Sequence, residues 1–152
     1  MTLPWWEPIF YACNYGVVGA WALLVLFPRW RWTGRLVHAG LVPLLFGLAY
    51  ALILFTDRDG SPEGSYFNLD GIQALFESRQ TVAAAWIHYL IFDLFVGAWI
   101  ARDAARRTIP HLATVPFLVL TLLFGPIGLL GYLVLRGGWT GRWRLEESDN
   151  SG

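Results

Sequence analysis

Lysine is absent from this chain: all eleven basic residues are arginine, and eleven acidic residues balance them to a net charge of zero. With no net positive field to attract a polyanion, nucleic-acid binding is excluded. Cysteine is almost absent too, since Cys13 stands alone within an apolar run, so no pairing within the chain is available and the redox compartment is unreadable. The three histidines, His38, His88 and His111, are scattered. No Cys, His or carboxylate accompanies them at ligand spacing, so neither a metal, haem nor any other cofactor is expected.

Apolar residues fill the space that charge leaves. Of 152 residues, 56% are hydrophobic and 16% aromatic, with a mean hydropathy of +0.48, beyond the composition of a soluble domain. Four runs, about 5–27, 36–55, 81–101 and 110–135, supply the roughly 20 apolar residues that cross a hydrocarbon core about 30 Å thick. The expectation is all-α: an integral membrane four-helix bundle forming one domain over 1–145, then a flexible acidic tail at 146–152. The first run begins almost at Met1 without a basic region, and Glu7 and Asn14 interrupt it. It is therefore read as a helix and not as a cleaved signal peptide.

Arginines mark the connections. Arg29, Arg31 and Arg35 separate the first two spans, and Arg102, Arg106 and Arg107 the last two, which places both loops in the cytoplasm and both termini outside by the positive-inside rule. Arg136, Arg142 and Arg144 in the C-terminal segment pull the other way. A gene that encodes only arginine suggests a GC-rich bacterium, hence the inner membrane. In the long 56–80 connection, Asn68 is a natural N-cap for a short interfacial helix whose Ile72, Leu75 and Phe76 share a face. Trp5, Trp6, Trp30, Trp32, Trp139 and Trp143 flank the spans, where amphipathic rings favour the headgroup level.

Asp93 sits within about 3 Å of the middle of the third span at 1.5 Å per residue. A charged Asp there costs roughly 2.5–3.5 kcal/mol on insertion scales, so it should face the interior and find a partner or carry a proton. Trp86, Tyr89, Asp93 and Gly97 form one helical stripe, the expected inward face, with His88 on its flank. By depth, Asn14, Tyr15, Tyr50, His88 and Asp93 fit one polar pocket in the outer half of the bundle. Pro43, Pro116 and Pro126 each remove a helical hydrogen bond and predict three kinks. Gly125, Gly128 and Gly131 leave a groove for the close approach of a neighbouring helix or a flat ligand. Alternatively, the polar groups only lock the helices together.

The run Trp86, Ile87, His88, Asp93, Leu94, Phe95, with the later Gly125-Pro126 turn, resembles the small four-span membrane family of the plant neoxanthin synthase named for abscisic acid deficiency. The likeness covers most of the chain. It implies an isomerase acting on a carotenoid or isoprenoid lipid by opening an epoxide, with Asp93 as catalytic acid and His88 as base. Asn14, Tyr50, Trp86 and Tyr89 would bind the substrate. The partners implied are membrane lipid and a hydrophobic carotenoid or isoprenoid ligand, and a homo-oligomer remains open. The competing reading is a non-catalytic lipid- or pigment-binding or scaffold protein.

Overall fold

A computed structural model describes residues 4–57, 62–141 and 143. The expected acidic tail at 146–152, and Arg142 and Arg144, lie outside the described residues. Among the described residues every regular element is helical.

Helix α1 spans Glu7–Leu26, and Pro28 follows its C-cap Phe27. Thr33 folds back over that end, its hydroxyl donating to the Phe27 carbonyl at 2.6 Å, so an end that proline cannot continue is satisfied by a side chain. The chain then runs through α2, Arg31–Thr33, and a wider π-helical turn, Gly34–His38. At Gly40 a left-handed residue, φ +81°, separates that turn from α3, Leu41–Phe55. The expected kink at Pro43 is absent because Pro43 falls in the first turn of α3, where its missing amide hydrogen costs nothing.

Asn68 caps α4, Leu69–Leu75, its side chain accepting from the Gly71 amide at 2.6 Å. Gly71 and Ala74 form the packed face, while Ile72 and Phe76 stay exposed. Ser78 caps the 28-residue α5, Arg79–Arg106. This helix is central, touching α1, α3, the hairpin described next and the π-helical turn. Small residues allow the close approach: the indole of Trp21 on α1 occupies the space above Gly97.

The largest departure from the expected bundle lies after α5. Helices α6, His111–Phe124, and α7, Pro126–Thr140, are separated by Gly125 at φ +39° and ψ −92°. Instead of one kinked span, they fold back on each other as an antiparallel hairpin. Gly128 lies against the Thr121 backbone and Gly131 against the Phe117 ring, contacts that residues 7 and 14 apart could not make along one helix. The groove expected at the glycines exists, and its occupant is the chain's own α6. With 14 and 15 residues, each arm measures about 21–22 Å, roughly half the length of α5.

Three helical segments, Glu7–Leu26, Arg31–Phe55 and Arg79–Arg106, are long and apolar enough to cross a membrane. The outside of the molecule is apolar, with Leu44, Leu48, Phe55, Phe92, Phe95 and Leu130 all exposed. Thr33, Asp93, Asp103, Thr114, Thr121 and Arg136 are buried within an otherwise apolar core, so large apolar side chains lie outside and charged ones inside, unlike a water-soluble domain. Of the six flanking tryptophans, Trp6 proves buried at 9% exposure, packed in the core with Ile53 and Ile87. The other five are exposed.

Candidate functional site

The residues singled out in the sequence part into two groups around α5. On the side of α1 and α6, the Trp86 indole donates to Asn14 Oδ1 at 3.0 Å, and the Trp86 and Tyr89 rings lie 5.5 Å apart. Asp93 continues that stripe. On the side of α3, the exposed His88 lies 5.6 Å from the Tyr50 ring and 4.5 Å from that of Phe92. The single pocket expected from depth does not form, because residues at one height leave α5 in different directions. Tyr15 is 71% exposed, and His88 and Asp93 diverge by about 140° around the helix.

Asp93 is the fifteenth of 28 residues in α5 and is 8% exposed. Its carboxyl meets the tip of the hairpin. A Cβ added at Gly125 would stand 2.6 Å from Asp93 Oδ1, so glycine is required there both by contact and by its positive φ. The N-terminus of α7 starts at this tip, with Pro126 filling a position whose amide hydrogen would be unpaired anyway. One turn before Asp93, the Tyr89 hydroxyl adjoins the carboxyl and makes a long hydrogen bond of 3.4 Å to the Leu123 carbonyl. Asp93 Oδ2 is buried without a hydrogen-bond partner among the described residues. Such an oxygen costs about 1–3 kcal/mol.

The half-length hairpin also shapes the space around Asp93. Its tip stops at the middle of α5, so the N-terminal half of the same face has no helix of the hairpin over it, and Val82 and Trp86 are 45% and 46% exposed. That uncovered stretch of α5 beside α1 is an open cleft, and Asp93 lies beneath its lower end, covered by the hairpin tip. At its far end a cavity of about 230 Å³ is lined by Phe10, Tyr11, Phe76 and Val82 together with the charged Glu7, Glu77 and Arg79.

A second polar cluster, which the sequence reading missed, fastens the open end of the hairpin. Asp103 Oδ2 accepts from the Tyr132 hydroxyl at 2.7 Å and pairs with Arg136 Nε at 3.0 Å. Arg107 Nε donates to both carboxylate oxygens at 3.0 Å. Arg136, expected among the arginines of the C-terminal segment, is 1% exposed inside α7. The signal was there: Tyr132 and Arg136 are four apart and share one face of a helix. Elsewhere at this end, His111 Nε2 bonds the Val25 carbonyl at 2.8 Å and His38 Nδ1 lies 3.3 Å from Arg102 Nη1. Among the described residues, no three His, Cys, Asp or Glu side chains converge as metal ligands would.

An apolar exterior, a buried carboxyl at mid-helix and a half-length hairpin define a small helical protein whose buried polar groups cluster along its central helix. The chain belongs to the ABA DEFICIENT 4-like family, whose profile matches residues 8–132. It is similar to Protein ABA DEFICIENT 4, chloroplastic, of Arabidopsis thaliana, with 26% identity over 135 residues covering 84% of this chain. The chain spans about 60% of the length of that relative. No solved structure matches it.

Proposed function

We propose that this protein is a multi-pass membrane isomerase that admits one end of a carotenoid or related isoprenoid lipid into the cleft above the hairpin tip, with Asp93 as the reacting acid. The observation that supports this reading is the Asp93 carboxyl at mid-helix, hydrogen-bonded to Tyr89 with Oδ2 lacking a partner among the described residues, beneath the uncovered stretch of α5 that carries Trp86. The choice of substrate class is supported by the family resemblance, which implies an epoxide-opening isomerisation.

Such a reaction is neutral in protons. The Asp93 carboxyl gives its proton to the epoxide oxygen as the carbon–oxygen bond breaks, and the carboxylate then removes a proton from a neighbouring carbon as the new double bond forms. One carboxyl suffices for both steps, as general acid and then general base. Tyr89, next to it, orients the carboxyl; Trp86 and Asn14, joined to each other, shape the entrance. His88, expected as the base, faces away from this cleft and meets Tyr50 instead. We place His88 and Tyr50 against the flanking portion of a long ligand or lipid.

The test is expression of wild type and Asp93→Asn in a carotenoid-producing host, with chromatography and mass spectrometry of extracts and of pigment bound to the purified protein. A new isomer made by wild type alone supports catalysis at Asp93. Identical extracts from two equally folded proteins would sink the enzyme. They would favour the second reading, a binding or scaffold protein, for which the Asp103 cluster is the specific support: it shows polar side chains fastening helices here.

A further inference from the structure

The charges of this molecule are segregated. At the end where α5 meets α6, the described residues include Arg29, Arg31, Arg35, Arg102, Arg106 and Arg107, against a single carboxylate, Asp103. Asp103 is already occupied by Tyr132, Arg107 and Arg136. Arg31 and Arg35 lie over the Trp32 ring. Arg29 is exposed and has no acidic partner among the described residues.

Beside Arg29 is a cavity of about 620 Å³ lined by Leu26, Phe27, Pro28, Arg29, Trp30 and His111. That volume falls within the roughly 300–1,000 Å³ of small-molecule sites. Its walls are apolar, with a guanidinium and an imidazole as its polar groups. Since His111 Nε2 donates to the Val25 carbonyl, its ring serves as a wall, and Arg29 is the donor available to an anionic group. The arrangement suits a molecule with one anionic group and a hydrocarbon chain. A guanidinium recognises phosphate oxygens in a fork, while Leu26, Phe27 and Trp30 cover methylenes.

We propose that this cavity is a binding site for an anionic phospholipid, with the phosphate on Arg29 and an acyl chain along Leu26 and Phe27. The site rests on the membrane reading above but is independent of any isomerase activity. The neighbouring guanidiniums of Arg31 and Arg35 add to the local positive potential that favours a negative headgroup.

The experiment places purified protein in phosphatidylcholine nanodiscs containing increasing phosphatidylglycerol and counts retained lipid by native mass spectrometry. One saturable phosphatidylglycerol is expected. Arg29→Gln should weaken its retention roughly fivefold, the scale of one guanidinium at an anionic surface, while Arg79→Gln, at the opposite end, should leave it unchanged. Circular dichroism establishes that both variants are folded. Inorganic phosphate should neither bind with similar affinity nor displace the lipid. The site is overturned by equal retention of phosphatidylcholine, by an unchanged Arg29→Gln, or by displacement with phosphate alone. A chain stripped from vesicles by alkaline carbonate overturns the membrane reading and this site together, an outcome distinct from the other three.

Discussion

At Gly125 two requirements meet in one residue. The backbone is left-handed at φ +39°, and the place of a side chain is taken by the Asp93 carboxyl. Gly125→Ala should therefore destabilise the protein by about 1–3 kcal/mol, read as a lowered midpoint in denaturant. Part of that loss should be recovered in the double variant with Asp93→Ala, because contacting residues couple; simple additivity would refute the contact. Asp93 was legible in the sequence because a carboxylate amid apolar residues is conspicuous. The position of Gly125 opposite it was not, since the two are 32 residues apart and only the fold brings them together. His88 lies where helical spacing puts it, on the flank of the Asp93 stripe and against Tyr50 of α3. His88→Ala should leave product formation within about threefold of wild type while Asp93→Asn abolishes it, compared in the same extracts, if one carboxyl performs both proton transfers.

At the level of helices, the three long segments and the Asn68 cap of α4 could be read directly, whereas the Ser78 cap of α5 was not. The fourth span could not. Residues 110–135 carry no charge and stay apolar throughout, so hydropathy has no means of distinguishing a crossing from a hairpin. The turn is encoded instead by Gly125-Pro126 and by Gly128 and Gly131, which let α7 touch α6. Gly128→Leu should accordingly lower stability far more than Gly138→Leu, whose added Cβ meets nothing, in thermal unfolding of the detergent-solubilised protein. The other end of the hairpin depends on Asp103. Asp103→Asn withdraws the carboxylate paired with Arg107 and the buried Arg136, and should cost about 3–5 kcal/mol, measured the same way.

For the whole molecule, the hairpin changes which ends lie together. On the four-span expectation Gly141 would emerge on the side of the 56–80 loop; the structure returns it to the side of Thr108. Single cysteines introduced at Glu63, Thr108 and Gly141 in a Cys13→Ser background test this with an impermeant thiol reagent on sealed vesicles. Thr108 and Gly141 should label from one side and Glu63 from the other, and labelling of Gly141 together with Glu63 would restore the four-span arrangement. The hairpin also bears on biogenesis. On the proposed membrane reading nothing between Arg107 and Gly141 has to pass through the bilayer, so the insertion machinery would complete its last translocation when α5 is in place. The remaining helices can then assemble by sliding sideways onto α5, and Asp93 acquires its cover only at that last step. A nascent chain stopped short of Tyr132 would thus hold all three of the long apolar helices and no finished site.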